Sequence, residues 1–195
     1  MTTETVELFY AILALLAAGA VAALVVIRIL ATMSPTAAGW FDAIGVFVRP
    51  NALSMAFLVA LFATLGSLYF SEVAHFEPCK LCWYQRIAMY PLVVILGIAA
   101  VRRDAGVRVY AMGLAAIGAA ISTYHIALEW IPALDTGTCG VGPSCSVIWF
   151  RVFGFISLPT LALIAFLSIL TLLAMLSRDA ADREPAEPVE ERSPS

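Results

Sequence analysis

Charge is scarce in this 195-residue chain: Asp, Glu, Lys and Arg together make up 13% of it, about half the share of a soluble domain. The formal net charge of −3 leaves no basic footprint and excludes a nucleic-acid binder. Histidine is nearly missing, with only His75 and His125, so there is no His-rich set for copper or haem. No strand–GxGxxG–helix unit occurs, which removes dinucleotide-linked redox chemistry. The period-two alternation of a membrane β-barrel is absent as well. What fills the space is apolar: 62% of the residues are hydrophobic and the mean hydropathy is +0.95. One globular core cannot hide that much apolar surface. The chain therefore reads as an integral membrane protein, not a soluble enzyme or a disordered one.

A helix crosses the hydrocarbon core with about 20 mainly apolar residues. Five stretches meet that length: 8–30, 51–70, 83–101, 107–128 and 154–176. They predict an all-α protein with five crossings. Gly19, Gly66, Gly97, Gly113, Gly118, Pro91 and Pro159 fall inside them. Such residues are common in membrane helices, where small side chains permit close approach and neighbours re-satisfy freed carbonyls. The first stretch follows MTTETVE. It lacks a basic n-region and is too long for a signal-peptide core, so a retained helix is expected.

Lys and Arg accumulate in cytoplasmic loops. Arg28, Arg49, Arg102, Arg103, Arg108, Arg178, Arg183 and Arg192 belong to one side, against Lys80, Arg86 and Arg151 on the other. This asymmetry places the N-terminus outside and the C-terminus in the cytoplasm. Four segments follow: an N-terminal helix (1–33), a cytoplasmic connection along the interface (34–50), a four-span unit (51–177) and a tail (178–195). The tail is rich in Pro, Ala and Glu and reads as disordered.

The four cysteines all lie outside the middle of the spans. Cys79 and Cys82 form CKLC before the third span, and Cys139 and Cys145 lie in TCGVGPSC between the fourth and fifth. By the charge argument both loops face the oxidising side, where disulfides persist. A structural staple is plausible for Cys139 and Cys145, which close a short Gly/Pro-rich loop. It is weak for Cys79 and Cys82, because bridging two intervening residues removes little chain entropy. A four-cysteine zinc site lacks a second tight knuckle. Haem attachment needs C-x-x-C-H, and residue 83 is Trp.

Pro78 suits the first turn of a helix. A helix beginning there puts Cys82 at its N-terminus, where the dipole and free N–H groups favour a thiolate. Arg86, four residues on, shares the face of Cys82 and adds a permanent cation; the plainer alternative is a basic residue snorkelling to the headgroups. With no dinucleotide or metal to accept electrons, a membrane quinone fits best as acceptor. Three readings stand for His125 and Glu129, at i and i+4: a proton relay to it, a buried pair, or an interfacial polar pair beside Trp130. His75 and Glu72 read as loop residues. Trp83, Tyr84, Trp130, Trp149 and Phe150 fit an interfacial aromatic belt, some of them also suited to line a quinone pocket.

The stretch EPCKLCWYQRIAMYPL (77–92) resembles the signature of the disulfide bond formation protein B (DsbB) family, in particular its short-loop BdbC-like branch. PSCSVIWFRVFGFISLPTLAL (143–163) is similar to that branch's second loop cysteine and last helix. The resemblance covers about 51–176. It implies a four-helix bundle in a bacterial inner or plasma membrane, to which this chain adds one N-terminal helix. It also implies a thiol:quinone oxidoreductase. Cys79 and Cys82 would be the membrane-proximal pair, with Cys82 beside the ring of a ubiquinone or menaquinone. Arg86, with Gln85 next to it, would hold the quinone. Cys139 and Cys145 would exchange with an extracytoplasmic thioredoxin-fold thiol oxidase of the DsbA/BdbD type, Cys139 forming the mixed disulfide and Cys145 connecting to Cys79. The loop pair has only five residues between its cysteines, far closer than in long-loop members.

Two rival readings remain. A quinone reductase of the vitamin K epoxide reductase type shares the helical bundle and the CxxC, although its CxxC normally lies late in the bundle. A non-enzymatic membrane scaffold with stapled loops would need the cysteines only for stability. A transporter is disfavoured by the scarcity of intramembrane charge.

Overall fold

The protein is described by a computed structural model over residues 2–135, 139 and 143–176. Five helices make up most of it: α1 (Thr3–Leu30), α2 (Pro35–Leu68), α3 (Lys80–Arg102), α4 (Arg108–Trp130) and α5 (Leu158–Met175). All five are long and apolar enough to cross a membrane. The described residues contain no β-strand, only a single bridge between Val152 and Ile156. The all-α membrane architecture expected from the sequence is present. The tail assigned to 178–195 lies outside the described residues.

The segment 34–50 departs from expectation. It is not a connection but the first half of α2, which runs unbroken through Pro50. The link from α1 is only the turn at 31–34. Pro35 in the first turn is pre-set for a helix start and opens α2. Pro50 forgoes one backbone hydrogen bond, a modest loss where neighbouring groups compensate. Next to it, the Asn51 amide donates to the Phe47 carbonyl at 2.9 Å. With 34 residues, α2 is about 50 Å long, longer than the ~30 Å hydrocarbon core. Its early part, with the Arg49–Asp42 ion pair at 3.3 Å, extends beyond that thickness. At its other end the helix widens into a π-helical turn, Tyr69–Val73.

Helices α2, α3, α4 and α5 form a ring in which α2 packs on α3 and α5, and α4 on α3 and α5. Lipid is as apolar as leucine, so these contacts are held by close packing and not by exclusion of water. Small residues make that packing possible. Phe166 of α5 is fully buried because Gly118 of α4 offers no Cβ, and any added there would overlap its ring. Helix α1 stands outside the ring and packs on α2 and α5. Only 11% of its most apolar stretch is buried, against 44% for α5.

Candidate functional site

Both cysteine pairs lie at one end of the bundle, because α3 begins there and α4 ends there. Cys79 is the N-cap of α3, and its Sγ accepts the Cys82 backbone N–H at 3.4 Å. The cap role thus falls to Cys79, with Pro78 just ahead of the helix, and not within its first turn as expected. Cys82 occupies the third helical position. Cys79 and Cys82 are free thiols with sulfurs 3.1 Å apart. Cys139 and Cys145 are joined as a disulfide, their Cα atoms 5.9 Å apart. All four pack into one cluster with Leu81 and Leu128. The loop and the helix start, about 60 residues apart in the chain, are brought into contact only by the fold.

His125 stands between the two pairs. Its Nε2 lies 3.7 Å from Cys79 Sγ and 3.1 Å from the Cys145 carbonyl oxygen. Its Nδ1 faces the Gln85 side-chain amide at 3.4 Å. One neutral tautomer satisfies all of this: Nε2–H donates to Cys145, and Gln85 donates to Nδ1. Glu129, one turn further along α4, accepts from the Ser157 hydroxyl at 2.6 Å. That contact diverts the N-cap residue of α5 from its own helix. His125 and Glu129 are both buried, so the interfacial-pair alternative fails: they face the bundle interior. Trp130 instead lies under the Arg151 guanidinium, 4.5 Å from its ring centre.

The reduced Cys79 thiol is lowered to about 4. The largest cause is the hydrogen bond from the Cys82 thiol; burial opposes it, and His125 and the Cys82 N–H assist. Cys79 is thereby held as a thiolate across the neutral range, against about 8.5 for a free cysteine. Because the folded value is depressed, the thiolate's contribution to stability is fully present above the unfolded value and is lost as pH falls through about 4. In metal-free buffer, alkylation of the reduced protein at Cys79 should stay nearly flat from pH 5.5 to 8. An ordinary thiol rises roughly tenfold per pH unit there. Mass spectrometry of iodoacetamide adducts at Cys79 measures this, and a tenfold rise per unit would contradict the assignment.

Arg86 turns away from the headgroups into the bundle and is buried. Its Nε donates to Ser67 Oγ at 3.0 Å and its Nη2 to the Ser67 carbonyl at 3.0 Å. Tyr90 donates to the same hydroxyl at 3.3 Å, and the guanidinium lies 5.3 Å from the Trp83 ring centre. Arg86, Gln85, Cys82 and Ser67 line one end of a cavity of about 240 Å³. The rest of its wall is mainly apolar. An intramembrane cation braced by a hydroxyl, beside a thiol and facing an apolar cavity, suits a ligand with a polar head and a greasy tail.

Of the aromatic residues, Trp149 lines this cavity and stacks on Phe76 at 4.9 Å. Phe150 is buried against Phe70 at 5.3 Å. Trp83, Tyr84 and Trp130 stay exposed as an interfacial belt would. Glu72 and His75 are exposed, and neither lines the cavity. Ser67 gave no signal in the sequence, since a hydroxyl within a span reads as ordinary helix packing. Tyr10, on the cavity wall, was hidden because α1 looked like an appendage.

Cys79, Cys82 and His125 bring their ligating atoms within 4.8 Å of one another, a spacing that could seat three ligands of one soft metal ion. Cys139 and Cys145, the other two cysteines of a four-cysteine site, are bonded to each other.

The family described as "Disulfide bond formation protein DsbB" matches residues 49–176. The chain is 46% identical over 115 residues to "Probable disulfide formation protein C 2" of Bacillus anthracis, covering 59% of this chain and 82% of that protein. It is 50% identical over 114 residues to "Probable disulfide formation protein C 1" of Bacillus cereus, covering 57% and 81%. A "Probable disulfide formation protein" of Coxiella burnetii is 47% identical over 118 residues, covering 60% and 80%. No solved structure matches. The matched region holds α3, α4, α5, most of α2 and both cysteine pairs, while α1 lies outside it. From its profile and from these relatives, this chain belongs to the DsbB family.

Proposed function

We propose that the protein is a membrane thiol:quinone oxidoreductase that reoxidises an extracytoplasmic thioredoxin-fold thiol oxidase and so supports disulfide bond formation. The observation that carries the reading is the line of contacts from loop disulfide to CxxC to cavity. Cys145 meets Cys79 across His125, and Cys82 borders the cavity beside Arg86.

The exchange runs between the two pairs. A reduced partner transfers its two electrons to the loop pair, leaving Cys139 and Cys145 as thiols. The Cys145 thiolate attacks Cys79 of the Cys79–Cys82 disulfide; the new Cys145–Cys79 bond forms and Cys82 leaves with the electron pair. Cys139 then attacks Cys145, re-forming the loop disulfide and expelling Cys79 as a thiolate. A low leaving-group pKa speeds such a step, and Cys79 is the depressed thiol.

His125 tethers the loop through the Cys145 carbonyl and faces the charge on Cys79. Cys82, Gln85 and Arg86 would hold the quinone head at the polar end of the cavity, and its mainly apolar walls fit the remainder. A quinone bound there supplies a two-electron, two-proton acceptor that returns Cys79 and Cys82 to the disulfide. A DsbA-type partner sits near about −120 mV, and the acceptor has to be more oxidising than that. A ubiquinone satisfies the condition more comfortably than a menaquinone. Both cysteine pairs then lie on the extracytoplasmic face, with the C-terminus in the cytoplasm, as the arginine distribution requires.

The test is direct. Purified protein is mixed with a reduced thioredoxin-fold thiol oxidase and a soluble quinone, and loss of quinone absorbance is followed. Catalytic, thiol-dependent quinone consumption is expected. A folded protein silent with both quinone classes would refute the reading.

A further inference from the structure

We propose that α1 is a working wall of the acceptor cavity, and that its inward face sets how tightly an isoprenoid quinone is held. The inference rests on the thiol:quinone reading and adds to it a helix that the family match, 49–176, does not include.

Tyr10, Leu13, Ala14 and Ala17 line the cavity. They follow the i, i+3, i+4, i+7 spacing of a single helix face. Residues of α1 outside that stripe are different: Leu16 is 68% exposed and Phe9 51%, as residues facing lipid should be. Helix α1 packs on α2 and α5, and those two helices supply much of the remaining wall. The facing residues are small, with Ala63 on α2 and Ala162 and Ala165 on α5. The wall spans roughly 10 Å of α1, running from Tyr10 near the cysteine end toward Ala17. Without α1, the same surface would be a groove open to acyl chains, and a quinone would compete with bulk lipid for it.

Tyr10 also fastens this wall to the rest of the site. Its ring lies over Gly66, where an added Cβ would come within 2.7 Å. It contacts Phe70 at 5.8 Å, and Phe70 in turn packs on Phe76 and Phe150. These aromatics, with Trp149 stacked on Phe76, sit beside the cysteine end of the cavity. The occupant matched by this chamber has a polar ring at Cys82 and Arg86 and an isoprenoid tail leading along α1.

The experiment uses the full chain in lipid nanodiscs, stripped of quinone and titrated with short-chain ubiquinone and menaquinone analogues. Quenching of the native tryptophan fluorescence reports binding, and solvent extraction of protein purified from membranes reports the resident molecule. Ala14→Phe, which fills the chamber, and Tyr10→Ala, which loosens its wall, should each raise Kd by about tenfold or more. Leu16→Phe on the lipid face should leave Kd unchanged. If the native protein binds quinone and the two cavity variants match Leu16→Phe, α1 is an appendage and this inference fails while the enzymatic reading stands. If the native protein binds no quinone and extraction returns only acyl lipid, the reading itself falls.

Discussion

Replacing Cys79 or Cys82 by Ser should abolish quinone reduction whatever the thiol donor, a loss of roughly 10³-fold or more, because a hydroxyl neither leaves nor attacks in disulfide exchange. Replacing Cys139 or Cys145 should give a different pattern. Turnover driven by the thioredoxin-fold partner should vanish equally, while a small dithiol should still reduce the Cys79–Cys82 disulfide. Cys82 is not fully buried, which leaves its sulfur within reach of a small reagent. Steady-state quinone absorbance with the two donors, run in parallel on all four variants, separates the steps. The scaffold alternative predicts no thiol-dependent quinone turnover even in the native protein, and at most a loss of stability in the variants. Equal, complete loss with both donors in all four would also contradict a two-stage path.

Arg86 should show the second-largest effect. Its two hydrogen bonds to Ser67 and its place at the polar end of the cavity make it both a brace and a charge. Hydrogen bonds to a charged group are worth about 1.5–3 kcal/mol, and losing the guanidinium also leaves Ser67 short of a donor. Arg86→Leu should raise the KM for quinone by about 10- to 100-fold and lower kcat. Arg86→Lys keeps the charge but not the two-pronged geometry, so it should fall between Leu and the native protein. A stability assay run alongside guards against collapse of the bundle. If Leu and Lys behave alike and both match the native KM, Arg86 only braces α2 against α3.

The placing of α1 and the loop pair shows where a linear reading stops. Helix count and type were legible because five apolar runs near 20 residues leave few alternatives in a medium that demands internally satisfied backbone. The short spacing of CKLC argued against a structural staple, and the fold leaves its two sulfurs 3.1 Å apart as free thiols. The extent of α2 was not. Pro50 and a moderately polar stretch read as a break, yet a helix tolerates one missing bond when packing continues past it.

An all-α membrane chain with two cysteine pairs and a cation one turn from Cys82 could be read without coordinates. Those properties are local, fixed by run length, spacing and side-chain chemistry. Which groups meet depended on how the helices pack. The fold placed His125 between the two pairs, gave Cys79 and not Cys82 the helix cap, seated Arg86 on Ser67, and made α1 a side of the cavity. All but the cap are contacts between elements distant in sequence. Such contacts depend on how small and large residues interlock across a bundle, which no single helix specifies.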